Sequence, residues 1–321
     1  MFAFVIRRIV GMILVLIAVS FIVYLIFIVI PGGDPALRIA GRVATPENVA
    51  SIRHKLGLDQ NIIVQWYDMV QSRLSGTLVS YYNGTNVAQQ IRAGMPATFS
   101  LCIGAGLIWL FFGVLVGTIS AIRAGRVADR VITALALIGI SLPVAWLGLV
   151  LLYLFTEQGI GGPIGTLFPS GGYVPLTQDP VQWAYHLILP WLTLAVLFIG
   201  FYGRVLRSNI LDTINEDFVR TAKSKGLSSR RIIVKHVLRA SLIPIVTLFG
   251  LDFAAVLGGG AIITETVYNV QGVGWYAAQA IGQQDLPPLM GVTLYGAAFI
   301  VVFSTLIDIA YAYLDPRIRP T

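Results

Sequence analysis

The sequence predicts an all-α integral membrane protein of six transmembrane helices, with a helical extracytoplasmic segment between spans 1 and 2. Three observations carry this. Of 321 residues, 56% are hydrophobic and 12% charged, against roughly 25% charged in an average soluble domain. The apolar residues gather into six runs of the ~20 residues that a helix needs to cross about 30 Å of hydrocarbon. In the short loops, Lys and Arg are confined to alternate connections, as expected when they stay on the cytoplasmic side.

The six runs cover 9–30, 97–121, 131–155, 183–202, 242–263 and 288–313. The first begins like a secretory signal, with Arg7 and Arg8, but it is too long and lacks a small-residue cleavage site, so it reads as a signal anchor. Arg123, Arg126 and Arg130 follow span 2. Arg204, Arg207, Arg220, Lys223, Lys225, Arg230, Arg231, Lys235 and Arg239 lie between spans 4 and 5, and Arg317 and Arg319 end the chain. The loops 156–182 and 264–287 contain no Lys or Arg, only Glu157, Asp179, Glu265 and Asp285. Both termini therefore read as cytoplasmic, and the net charge of +7 is a topology signal suited to an anionic inner leaflet. That accounts for the basic balance without nucleic acid.

The chain divides by this reading into 1–30 (amino terminus and first span), 31–96 (extracytoplasmic helical segment) and 97–321 (spans 2 to 6, with a cytoplasmic loop at about 204–240). In the outer segment, Thr45 as cap, Pro46 at the first position, Glu47 in the first turn, His54 and Lys55 near the end and Gly57 as terminator spell one helix. Ile62, Ile63, Trp66, Tyr67, Val70 and Leu74 form the broad face of a second, which can pack on the first or lie at the membrane surface.

Several residues interrupt the spans: Pro143, Pro190, Pro244, Gly250 and the run Gly258, Gly259, Gly260. They serve either close helix packing or a translocation pathway, since freed backbone groups need protein or water partners at membrane depth. Asp252 in span 5 and Asp308 in span 6 are intramembrane carboxylates, and Asp252 is the deeper. It is either a pathway residue or one end of a helix–helix hydrogen bond. Glu265, at the outer end of span 5, reads as a pathway-mouth charge or a solvated loop residue. His54, His186 and His236 are too scattered to form one metal site, the single Cys102 reads as buried, and Asn83, Gly84 and Thr85 are assigned no role.

The segment 215–226 reads NEDFVRTAKSKG. Asn215 is a suitable cap, Glu216 and Asp217 suit the positive helix start, Lys223 and Lys225 its end, and Gly226 terminates it. A new helix then starts at Ser228 or Ser229 and runs into span 5. The result is a short cytoplasmic helix, with Phe218, Val219 and Ala222 as its apolar face, that either docks on a partner or rests on lipid.

The run EDFVRTAKSKGLSSRRIIVKHVLRASLIPIVT resembles the cytoplasmic loop of permease subunits in the dipeptide, oligopeptide and nickel ATP-binding-cassette (ABC) importer family. RRIVGMILVLIAVSFIVYLIFIVIPGGDPA, LRIAGRVATPENVASIRHKLGLDQNIIVQWYDMV, ETVYNVQGVG and LDPRIR are similar, in this order, to the family's first permease subunit. The resemblance implies the type I importer permease fold in a bacterial inner membrane. It also implies a second homologous permease subunit, two cytoplasmic ATPases that bind ATP and Mg, and an extracytoplasmic substrate-binding protein. The chain itself would need no cofactor. Coupling to the ATPases would run through Glu216, Asp217, Phe218, Val219, Arg220, Thr221, Ala222, Lys225 and Gly226. Of the general importer pattern Glu-Ala-Ala followed by Gly, which falls on Arg220, Thr221, Ala222 and Gly226, only Ala222 and Gly226 match. Peptides are the implied cargo, with nickel complexes, glutathione and sugars as alternatives.

No Gly-x-x-x-x-Gly-Lys-Ser/Thr phosphate loop occurs, and no Gly-x-Ser-x-Gly or His-Glu-x-x-His signature marks a membrane protease. The alternative of an ion-coupled secondary transporter would use intramembrane charges such as Asp252; such proteins often have repeated halves, and no convincing internal repeat is visible here. A DNA-binding helix-turn-helix in the basic loop would have helices leading straight into the bilayer.

Overall fold

The computed structural model describes residues 2–29, 36–37, 45–55, 59–157 and 167–314, all of them helical or in turns and loops, apart from one isolated bridge between Val79 and Asn86. The expected terminator Gly57 and the basic residues Arg317 and Arg319 lie outside the described residues, as does the Asp308 side chain.

Among the described residues, five helices are long and apolar enough to cross a membrane. Helix α1 (Phe2–Tyr24) continues through a π-helical turn to Val29, and the stretch between α1 and the next long helix holds α2 (Pro46–Lys55) and α3 (Ile62–Leu74). Helix α4 (Val87–Ile122) is 36 residues long, starting ten before the expected span. Helices α5 (Val127–Ser141) and α6 (Val144–Phe155) are joined by a 102° bend. Helix α7 (Pro180–Thr213) begins at a well-made cap, where the Asp179 carboxylate accepts from the Val181 and Gln182 amides with Pro180 next to it. Short helices α8 (Asp217–Ser224) and α9 (Ser229–Ile232) follow; α9 runs through a π-helical turn into α10 (Leu238–Ala255) and on to Gly260. The chain continues through α11 (Ile262–Val267), α12 (Val273–Gln283) and α13 (Leu286–Leu314).

The expected third span is therefore not one straight helix. Leu142 caps the end of α5 (φ −77, ψ 125) and Pro143 the start of α6 (φ −61, ψ 131), both in extended backbone, so the ladder stops and the axis turns. Among the described residues, five helices meet the length and apolarity of a span without a break, and six segments do if the bent pair is counted as one.

Two compact units are present: Met1–Pro96 with Leu257–Ile262 and Gln271–Thr321, and Ala97–Val256 with Ile263–Val270. In the first, α3 lies on α1. Trp66, Met69 and Val70 pack with Val23 and Tyr24, the Trp66 indole donates to Ser20 Oγ (3.1 Å), and the Tyr24 hydroxyl donates to Gln65 Oε1 (2.8 Å). Ile62, Ile63, Tyr67 and Leu74 stay exposed, so only part of the expected apolar face is buried within the chain. The Arg73 guanidinium donates to the Gly291 carbonyl, and burial lowers its pKa to about 10, which leaves it charged at neutral pH. Asp285 accepts from Ser80 Oγ and the Tyr81 amide (3.0 Å), pinning the loop before α4 to the start of α13.

In the second unit, small residues let helices meet backbone to backbone. A Cβ on Gly117 of α4 would lie 2.7 Å from the Gly203 carbonyl oxygen of α7, and one on Gly200 would lie 2.5 Å from that of Ala136 in α5. Trp109, fully buried, stacks on Phe198 (4.4 Å between centroids) and touches Tyr202, Phe249 and Phe253, fastening α4, α7 and α10 together. Such ring pairs add about 0.5–1.5 kcal/mol each beyond burial. Cys102 is a buried free thiol, as expected.

Candidate functional site

The short helix α8 forms where its charge pattern places it, with Asp217 in the first turn and Lys223 in the last. Its start differs by one residue from expectation. Glu216, in extended backbone (φ −66, ψ 151), is the cap residue but makes no side-chain cap bond. The Asn215 amide instead donates to the Leu211 carbonyl (3.0 Å), one turn back along the chain. The end is a complete Schellman closure: Gly226 adopts φ +75, its N–H bonds the Lys223 carbonyl (2.9 Å), and the Leu227 N–H bonds the Ala222 carbonyl (3.3 Å). A side chain at Gly226 would meet no atom, so glycine is required there by backbone conformation alone.

The expected apolar face of α8 divides. Val219 and Ala222 are buried, and with Ile232 of α9, also buried, they seat the helix on its own chain. Phe218 is 44% exposed, a lone aromatic among exposed Glu216, Asp217, Arg220, Thr221, Lys223 and Lys225. The Asp217–Arg220 contact (3.6 Å) is fully at the surface and contributes little. Helix α8 therefore presents a ready-made polar face with one aromatic knob.

The pathway candidates fall in different settings. Asp252 on α10 accepts a hydrogen bond from the buried Tyr202 hydroxyl of α7 (2.7 Å), which is the helix–helix bond named as one of its two readings. Glu265 is not a solvated loop charge: it is fully buried on α11 and accepts from the Thr98 hydroxyl of α4 (2.7 Å), 167 positions away in sequence. Nearby, the buried Tyr268 hydroxyl meets Thr193 Oγ1 (2.7 Å), and burial pushes its pKa up to about 12. Pro143 stands at the α5–α6 bend. In the glycine run, Gly259 has φ +143, which L side chains rarely adopt, while Gly258 meets α13, where a Cβ would lie 2.7 Å from Ile300 Cγ1. Gly258 is thus a packing residue, and Gly259 a backbone break.

Burial of Glu265 carries a prediction. Glu265→Gln preserves an acceptor for Thr98 and is expected to melt within a few degrees of the parent, whereas Glu265→Ala opens a cavity and is expected to lose about 2 kcal/mol or more. Thermal unfolding of the purified protein in detergent distinguishes the two.

One cluster was missed by sequence reasoning. Asp129, in the first turn of α5, is 4% exposed and held in a fork by Arg207 of α7, with Nε and Nη2 both at 2.8 Å. Arg207 had been counted only as a topology charge. The available signal was a single acid in a turn otherwise marked by Arg123, Arg126 and Arg130.

Comparison with known proteins covers nearly the whole chain. Residues 113–320 match the family described as binding-protein-dependent transport system inner membrane component, and residues 1–102 match its N-terminal membrane component. The Sinorhizobium fredii protein y4tP, a probable peptide ABC transporter permease protein, is 35% identical over 98% of this chain and 99% of its own. The di/tripeptide transport system permease protein DppB of Pseudomonas aeruginosa is 32% identical, and the glutathione transport system permease protein GsiC of Salmonella choleraesuis 33%, each over 99% of both chains.

Proposed function

The chain belongs to the binding-protein-dependent transport system inner membrane components, and from that premise we propose that it is the first permease subunit of an ATP-driven importer of di- or oligopeptides. It is a multi-pass, non-catalytic membrane subunit. The single observation that carries the cargo reading is end-to-end similarity to permeases named for peptide transport. Glutathione is the second reading, since GsiC is equally similar over its full length and glutathione is itself a short peptide.

In this reading the chain adopts the type I importer permease fold with six spans, the bent α5–α6 pair counting as the third. Both termini and the 204–240 loop are cytoplasmic, the 31–96 segment is outside, and 97–321 is the permease core. Two ATPases grip α8 through Phe218 and the surrounding charged residues, while Val219, Ala222 and Gly226 keep the helix seated and stopped. ATP-driven closure of the motors pulls α8, and the attached α7 and α10 switch access from inside to outside. Peptide handed over by the binding protein enters, and hydrolysis returns the pathway to the cytoplasmic side. Asp252, Glu265, Pro143 and the glycines 258–260 are proposed to shape or line that pathway.

The test is reconstitution in proteoliposomes with the second permease subunit, the two ATPases and the binding protein. Uptake of a labelled dipeptide is expected only with ATP and the binding protein present. Uptake by the permease alone on an ion gradient would overturn the proposal, and preference for glutathione would select the second reading.

A further inference from the structure

The Asp129 carboxylate gathers four donors from three pieces of chain. Oδ1 accepts from Arg207 Nε (2.8 Å) and Ser120 Oγ (2.5 Å), and Oδ2 from Arg207 Nη2 (2.8 Å) and the Gly125 amide (2.9 Å). Ser120 is in the last turn of α4, Gly125 in the α4–α5 turn, and Arg207 on α7, six residues before that helix ends at Thr213. Helix α8 starts four residues later. On its other side the same end of α7 is tied to α10: Ser241 Oγ lies 3.2 Å from the Asn209 carbonyl and 3.1 Å from Thr213 Oγ1, and Asn209 Nδ2 lies 3.4 Å from the Ser241 carbonyl.

An ion pair this sheltered is weak evidence of a stability role, because an apolar replacement of equal shape often does as well. What a fork supplies is direction: two parallel N–H bonds from a planar guanidinium fix both distance and angle, which a lysine or an apolar contact does not. The far end of α5, a helix of 15 residues, is the 102° bend at Leu142 and Pro143. The fork thus grips α5 at one end, and a break in the backbone frees it at the other.

We propose that Asp129 and Arg207 are positioning residues, a rigid link that passes displacement of the α7 end into the α4–α5 turn and swings α5 about the Pro143 bend. The proposal rests on the reading of α8 as the ATPase contact. Without the fork, α7 would slide past α5 on an apolar and glycine-lined surface, and motor movement would be lost before it reached the bent pair.

The experiment uses the whole reconstituted importer and reads two quantities, dipeptide uptake and ATP hydrolysed, together with assembly of the complex. Asp129→Asn removes the charge with little change of shape, and Arg207→Lys keeps the charge but loses the fork. Asp129→Asn is expected to assemble, to retain ATP hydrolysis, and to lower uptake per ATP at least fivefold, with Arg207→Lys intermediate. An assembled Asp129→Asn importer whose ratio lies within twofold of the parent overturns the proposal. Should Asp129→Asn fail to assemble, Arg207→Lys decides. A lowered ratio in an assembled complex supports the link, whereas a parental ratio or a second failure to assemble reduces the fork to a structural brace and overturns it. Failure of the underlying importer reading shows separately, as parental uptake that does not depend on ATP.

Discussion

Replacing Gly296 with valine is expected to leave almost no stable protein in the membrane. In the first unit, the glycine run 258–260 crosses α13 so closely that a Cβ on Gly296 would lie 1.9 Å from the Gly258 carbonyl oxygen, and one on Gly258 would lie 2.9 Å from the Gly296 carbonyl oxygen. The atoms obstructing a side chain at Gly296 are all backbone of Gly258, so none can rotate away. Overpacking a core usually costs about 1–3 kcal/mol, and occasionally more where nothing can yield. Within a bilayer no hydrophobic force between helices offsets that loss, because association relies on close packing itself. Gly282→Ala is the control, because a Cβ there meets nothing within 4 Å and the helical backbone accepts alanine. Immunoblots of membrane fractions and thermal unfolding in detergent are expected to show Gly296→Val depleted and Gly282→Ala at the parental level. Equal accumulation and equal melting of the two would refute the packing account.

The same glycines show what was legible in the sequence and what was not. Length and hydropathy locate the long helices, since a span is a one-dimensional property of about 20 residues. The short helix α8 was equally readable, because the charges at its ends and Gly226 act through local backbone geometry. Its cap was misplaced by one residue because the Asn215 amide turned back to Leu211, a choice between two nearly equivalent local bonds. The bend at Pro143 was visible as an interruption but not as 102°, an angle that helix packing decides. Glu265 was misread as a possible loop charge because the segment carrying it folds inward to meet Thr98, and no local signal encodes a contact across 167 positions. Asp129 was passed over for the same reason: its donors lie up to 78 positions away, and only the fold brings Arg207 to it. In this chain, errors of sequence reading concentrate on buried polar groups, where the partner rather than the residue defines the role.

Truncating Phe218 is expected to separate folding from function most cleanly. Phe218 is 44% exposed, and its neighbours Val219 and Ala222 do the work of seating α8, so Phe218→Ala removes contact surface without opening a cavity. The variant is expected to reach the membrane, pair with the second permease subunit and melt as the parent does. If the ATPases hold α8 by this knob, the loss should resemble that of an interface hot spot, about 2 kcal/mol or more, which corresponds to roughly a thirtyfold weaker grip. ATPase stimulation by loaded binding protein and peptide uptake should then both drop at least tenfold. Val219→Asp provides the contrast. A carboxylate in a site with 0% exposure, lacking a designed partner, cannot be accommodated, so α8 should leave its seat and assembly with the ATPases should fail outright. The two variants thus address opposite faces of one eight-residue helix. Parental ATPase stimulation and uptake with Phe218→Ala would mean that the charged residues alone make the contact; parental assembly with Val219→Asp would mean that α8 need not be seated to be gripped.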